Sequence, residues 1–177
     1  MLLLLFWACA ATDADHDGAA VDVDCDDNDP LVYPGAPDDP GDGLDADCAG
    51  GDPPYPWIGG WAATDLAAST FGIDLFVPGT GTADLSIGAD LSVTLEIAGE
   101  LNPDLFGSSV DIEVLLAGEV SPVDGPDTLV VYAEGDNYDE AMHVDWACEL
   151  DEDTLYCDGG FKALDASLGT TATFSRD

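Results

Sequence analysis

Between Asp13 and Asp24 the carboxylates fall at a spacing that suits a hard cation. In the run DADHDGAAVDVD, Asp13, Asp15 and Asp17 stand at positions 1, 3 and 5 of a twelve-position frame, Gly18 at 6, Ala19 at 7, Val21 at 9 and Asp24 at 12. Carboxylates on alternate residues of a tight turn converge on one point. A glycine at the sixth position permits the sharp reversal, and the seventh residue donates its backbone carbonyl. Such an all-oxygen set prefers calcium, whereas magnesium demands tighter octahedral geometry. Copper would need thiols or His16, which holds position 4, where the side chain points away from the ion.

These are the ligand positions of a calcium loop of EF-hand type. Asp24 stands where that loop carries a bidentate Glu, so the backbone must come closer, as in the dockerin and thrombospondin type 3 variants of the loop. Neither flank has helical periodicity, so the loop matches and a whole EF-hand does not. The continuation, DCDDNDPLVYPGAPDDPGDGLDADCAGGD over 24–52, resembles the MopE-type metal-binding motif of secreted bacterial surface lipoproteins. Its pattern is DCDDxDPxxxPGAxE followed by DGxDxDCDGxD, and the resemblance covers about 13–52. It implies a second cation cluster at Asp24, Asp26, Asp27 and Asp29, and a third at Asp45, Asp47 and Asp52. Two departures matter. The middle cysteine of the motif is absent, which leaves Cys25 to pair with Cys48, and Ala49 replaces an acidic residue, which weakens the third cluster.

The whole chain carries 38 Asp and Glu against two basic residues, Lys162 and Arg176, for a net charge of −36. Nucleic acid and anionic lipid surfaces are therefore excluded as partners by repulsion, and cations are favoured. The opening MLLLLFWACA resembles a lipoprotein signal peptide, in which a small residue, here Ala8, precedes a cysteine, here Cys9, that becomes lipid-modified. This implies an extracytoplasmic protein held on a bacterial membrane, outer membrane or cell surface, through a lipid anchor only. Setting Cys9 aside leaves Cys25, Cys48, Cys148 and Cys157, an even number that divides into two local pairs and suits a disulfide-permissive compartment. No CxxC or Cys–His spacing fits zinc.

Four zones must position these groups. Residues 1–8 read as the signal peptide, 9–52 as an Asp-rich metal-binding module, 53–56 (PPYP) as a stiff connector and 57–177 as a β-domain. The module has few large apolar residues and builds no core unaided. The β-domain alternates with period two: Leu91, Val93, Leu95 and Ile97 share one face, as do Val110, Ile112 and Val114, and Met142, Val144, Trp146, Cys148 and Leu150. Further strands are expected at 57–63, 70–77, 82–88, 127–134, 154–162 and 166–175, with helix only around 64–70. Eight or nine short strands argue for an all-β antiparallel barrel or sandwich. If DEDT (151–154) is a four-residue turn, Leu150 faces Leu155 and Cys148 faces Cys157, a separation that suits a disulfide.

No catalytic motif is present, and His143 with Asp145 reads as a solvated strand face, so no enzyme is expected. Gly59-Gly60-Trp61 fits the G-x-W that opens a lipocalin barrel, and Arg176 falls where lipocalins set a basic residue against that Trp. That resemblance implies a barrel carrying a small apolar ligand, with the Asp-rich segment as a stalk; a filled interior would instead favour a structural, adhesive or protein-binding role. A third reading makes the Asp-rich segment a disordered tail on a salt-adapted β-domain. The expectation adopted is a calcium-binding, lipid-anchored protein.

Overall fold

Alternation leaves one face of every strand in need of cover, and the β-domain provides it by closing on itself. A computed structural model describes residues 12–138, 140–163 and 166–176. The chain divides between Pro54 and Tyr55. The second unit contains strands β1 (Gly59–Ala63), β2 (Ala67–Thr70), β3 (Ile73–Asp74), β4 (Thr82–Ile87), β5 (Ser92–Glu100), β6 (Asp111–Pro122), β7 (Thr128–Asn137), β8 (Glu140–Asp151), β9 (Thr154–Ala163) and β10 (Ala166–Arg176), with one helical turn, α1 (Pro103–Phe106).

The strands pair antiparallel in the order β1-β4-β5-β6-β7-β8-β9-β10, and β10 returns to β1. This is a closed eight-stranded barrel, with β2 and β3 as two further strands. Along one edge of β10, Gly169–Thr171 pair with β2 while Ser175 and Arg176 pair with β1. The chain passes from β1 to β2 through residues 64–66, so two consecutive strands share that edge and close the cylinder.

Closure is fastened where the ends of the unit meet. Trp61 is fully buried, and its Nε1 donates to Trp57 O at 2.8 Å. The Arg176 guanidinium lies 4.5 Å from the Trp61 ring centroid, its Nη1 donates to Ile58 O at 3.3 Å, and its Nη2 donates to Pro56 O. Gly59 sits at φ 134°, a backbone conformation that side-chain-bearing residues rarely adopt.

Within the strands the inward faces are the ones the period-two pattern marks, while Leu91, at φ 64° before β5, and Val110, 49% exposed before β6, fall outside it. Val93, Leu95, Ile97, Val114, Val144 and Trp146 are buried, and large side chains fill the interior: Trp61, Trp146 and Phe174 are 0% exposed, Leu85 and Leu116 1%. Side chains lining a ligand-sized cavity would keep accessible surface, and these do not. Trp146, Gly159 and Thr170 are cross-strand partners in sequence across β8, β9 and β10. Because Gly159 has no side chain, the indole passes over it and its Nε1 donates to Thr170 Oγ1 at 2.6 Å, satisfying both buried polar groups. Cys148 and Cys157, also directly opposed, form a disulfide with Cα atoms 4.1 Å apart.

Three local expectations are corrected. Residues 67–70 are strand β2 rather than helix, because β10 offers them a ladder. The helical turn lies instead at NPDLFG, where Asn102 caps Asp104 N at 3.0 Å, Pro103 takes the first position and Gly107 ends the turn at φ 77°. The strand expected over 70–77 breaks at Phe71-Gly72, whose φ values of 52° and 79° make a two-residue hairpin loop. In the β8–β9 hairpin the register of Leu150 with Leu155 holds, but Asp151 pairs with Thr154, so the loop is Glu152-Asp153 rather than four residues.

Adjacent glycines on β9 give a test of this packing. A Cβ at Gly159 would lie 2.0 Å from Asp145 O, a backbone atom, whereas one at Gly160 meets nothing within 4 Å. Gly159→Ala is expected to destabilise the barrel by about 2 kcal/mol or more, and Gly160→Ala to stay within about 0.5 kcal/mol of the parent. Denaturant unfolding of the two variants measures both.

Candidate metal centre

Residues 12–54 contain no helix or strand. Their buried apolar residues are Val32, Ala36 and Ala46, far too little surface to offset a backbone ordering cost of about 1–2 kcal/mol per residue. Order comes from other sources. The Cys25–Cys48 disulfide is formed, with Cα atoms 5.8 Å apart. Tyr33 N donates to Ala46 O at 2.9 Å and Gly35 N to Asp47 O at 3.1 Å, holding two segments together.

Aspartates supply most of the remaining bonds. Asp side chains readily accept from the N–H two residues on, and here Asp15 accepts from Asp17 N, Asp17 from Ala19 N, Asp24 from Asp26 N, Asp26 from Asn28 N and Asp29 from Leu31 N. Asp13 spans further, taking His16 N at 2.6 Å on Oδ1 and Gly18 N at 3.2 Å on Oδ2. The reversal this needs is made by His16 at φ 72° and Gly18 at φ 105°. Val21 N, donating to Thr12 O at 2.9 Å, closes the loop at its base.

In Asp15, Asp17 and Asp24 these bonds use Oδ1 and leave Oδ2 facing inward. Asp13, Asp15 and Asp17 present ligand atoms within 4.8 Å of one another. Asp15 Oδ2, Asp17 Oδ2 and Asp24 Oδ2 are shielded from water and have no hydrogen-bond partner. A carboxylate oxygen can only accept, so a cation or a proton is what can satisfy such a group. Among the described residues no N–H reaches the Ala19 carbonyl either. The Asp15 carboxyl is held above the ordinary carboxylate range, chiefly by desolvation and then by the neighbouring charges of Asp17, Asp24 and Asp13, with the hydrogen bond from Asp17 N pulling the other way. Of the four carboxylates expected from the twelve-position frame, Asp13, Asp15 and Asp17 converge and Asp24 reaches Asp15 through its charge, while His16 donates its backbone N–H.

The other two clusters form differently from the expectation. Asp26, Asp27 and Asp29 do not assemble into a ligating group among the described residues; Asp26 and Asp29 are taken up by the turn that follows each, and Asp27 accepts from Ala14 N at 3.0 Å. Asp24 does approach Cys25 and Cys48, but disulfide sulfurs carry no thiolate to offer a metal. Asp45 and Asp47 are brought together, not with Asp52 but with Asp38. Asp52 instead takes Gly41 N at 2.6 Å and Gly43 N at 2.7 Å. Asp38 was legible: it fills the acidic position that ends PGAxE, here PGAPD. In this group Asp45 already accepts from Ala49 N and Gly51 N, and Asp47 from Ala49 N. Cys9 and the signal segment 1–8 lie outside the described residues. On the barrel, no hydrogen bond joins His143 to Asp145 among the described residues.

In comparison with known proteins, no family model, no curated protein and no solved structure matches the chain.

Because the folded state disfavours the charged form of Asp15, the sign of its pH effect is opposite to that of a salt-bridged carboxylate. In the ion-free protein the penalty is full at neutral pH and is relieved as pH falls through the raised pKa toward the ordinary value of 3.8. Carboxyl-detected NMR titration of the ion-free chain is expected to place Asp15 above that value, and Asp17→Asn to bring it down by removing one neighbouring charge.

Proposed function

We propose that the protein is a calcium-binding, lipid-anchored extracytoplasmic protein, in which an ion-stiffened Asp-rich module joins the lipid anchor to a β-barrel with a structural, adhesive or binding role. The observation that carries this reading is the trio of inward oxygens, Asp15 Oδ2, Asp17 Oδ2 and Asp24 Oδ2, shielded from water and unpartnered. An unpaired buried acceptor is costly, and converging like charges add repulsion. An ion of hard character relieves both at once, and oxygen-only ligands select calcium among the common divalent ions. The ligands assigned are Asp13, Asp15, Asp17 and Asp24 with the Ala19 carbonyl. Two disulfides support an oxidising compartment, and Cys9 after Ala8 supports lipid attachment there.

One observation favours a second reading, a lipocalin-like carrier: Arg176 does pack on Trp61 at the barrel's closing seam. The filled interior weighs against it, because Trp61, Trp146 and Phe174 occupy the space that a carried ligand would need. The disordered-tail reading is weakened by a disulfide that closes the segment and by the buried Val32, Ala36 and Ala46.

An ion that binds only the folded module stabilises it by about 2.7 kcal/mol at a hundredfold excess over Kd. Limited proteolysis is therefore expected to cut within 12–54 rapidly in chelator and slowly in calcium, while the barrel resists in both. Asp15→Asn with Asp17→Asn should abolish the calcium effect, yet slow cleavage in chelator by removing repulsion. Cleavage at the same bonds and rates with and without chelator would refute the calcium assignment.

A further inference from the structure

The outer surface of the barrel is not uniformly convex. Two recesses, of about 500 Å³ and about 370 Å³, lie on the outward faces of β7–β10 and of β9, β10 and β2, and they share Asp158 and Thr171. The outward register explains them. Ala147 is the partner of Asp158, and Gly160 is the partner of Gly169, so the middle of this face carries almost no side chain. A Cβ at Gly160 or Gly169 would meet nothing within 4 Å. Tyr156, 49% exposed and directly opposite Glu149, stands at the side of the depression.

We propose that this groove binds an extended basic peptide segment and that Glu149, Tyr156 and Asp158 form the subsite for one of its Arg or Lys side chains. Glu149 and Tyr156 are direct cross-strand neighbours, about 5 Å apart, and Asp158 is the diagonal neighbour of Glu149, about 7–8 Å away. A cation over the Tyr156 ring thus reaches both carboxylates and gains a cation–π contact. Asp124 adds a third carboxylate to the lining, which contains no Lys, Arg or His. The chain's own cations are elsewhere: Arg176 is engaged at the seam, and Lys162 lies four residues along β9 from Asp158. The ligand must bring the positive charge. A neutral glycan could also stack on Tyr156, but it would leave the repulsion among these carboxylates unrelieved. Val123, Val130 and Ala147 provide apolar contact between charges. The groove crosses five strands, about 19 Å at ~4.8 Å per strand, which is room for about six extended residues.

The probe is a fluorescein-labelled hexapeptide of alternating Arg and Leu, titrated against the full chain in about 0.15 M salt, where exposed charges are screened beyond ~8 Å. Its counterpart has citrulline, a neutral isostere, in place of Arg. The Arg peptide is expected to bind at least about tenfold more tightly than the citrulline peptide. Glu149→Gln with Asp158→Asn is expected to weaken it about tenfold or more, and Tyr156→Ala severalfold. The control is Asp84→Asn with Glu96→Gln, an exposed cross-strand pair on β4 and β5. It removes the same charge and should change binding less than about twofold. Equal weakening in the two double variants would reduce the effect to the general field and overturn the proposal. So would citrulline binding as tightly as Arg, or displacement of the peptide by a neutral hexasaccharide. Melting temperatures of the variants, expected unchanged for such exposed side chains, separate a lost subsite from a lost fold.

Discussion

The 38 carboxylates of this chain repel one another, and only Lys162 and Arg176 oppose them, so folding requires each carboxylate to be either solvated or neutralised. The two units meet that requirement in opposite ways. In the barrel the acids occupy the outward half of an alternating pattern: Asp84, Glu96, Asp145, Glu149 and Asp158 are all exposed, and water screens them. In the Asp-rich unit the acids serve as the structure itself. Asp15, Asp17 and Asp24 each capture a backbone N–H with Oδ1 and leave Oδ2 shielded and unpartnered, and Asp13, Asp15 and Asp17 present ligand atoms within 4.8 Å of one another. Charge is tolerated by the first unit and concentrated by the second.

The scarcity of cations also explains where Arg176 stands. Its contact with Asp153 is 3.9 Å long and 88% of the Asp153 side chain is exposed, so that pair contributes little. Its partners at the seam are better shielded: the Trp61 ring and two carbonyls of the segment leading into β1. One guanidinium thereby joins the start of the first strand to the end of the last. Among the described residues no other ion pair is found in the barrel. It is held by the ladder, by an apolar interior, and by polar groups such as Trp146 and Thr170 that satisfy each other.

Much of this was legible because its causes are local. Alternation over 93–97 and 142–148 marks the buried face residue by residue, and the Cys148–Cys157 register follows from hairpin arithmetic once one pair is known. Barrel closure was not legible from alternation, which suits a sandwich equally well; its one pointer was Gly59-Gly60-Trp61 with Arg176, whose resemblance to a lipocalin seam implied a barrel and whose contact is formed. The helical turn at Pro103 escaped for a different reason: four residues are too short for any periodicity, although Asn102-Pro103 is a cap signature. In the candidate metal centre the grouping of Asp13, Asp15 and Asp17 could be read because these carboxylates sit close together in sequence. Asp52 and Asp38 exchanged roles because their fates are decided by competition. The N–H groups of Gly41 and Gly43 capture Asp52, which leaves Asp38 to join Asp45 and Asp47.

The position of the first disulfide ties these observations together. Cys25 follows Asp24, the last residue of the twelve-position loop, and Cys48 follows Asp47, the last of the second acidic group. The bridge therefore fixes both groups at their final carboxylate, and it closes a sequence separation of 23 residues, a constraint that removes about 3 kcal/mol of chain entropy from the unfolded state. That is comparable to the stabilisation expected from a well-occupied ion site. A segment with three buried apolar residues cannot lack both. Oxidation brings the acidic groups together at the cost of greater repulsion between them, and the same repulsion strengthens the attraction for a cation. On the proposed reading, covalent closure and ion binding are thus coupled through charge: the disulfide makes the ion-free state more strained and the ion-bound state more accessible.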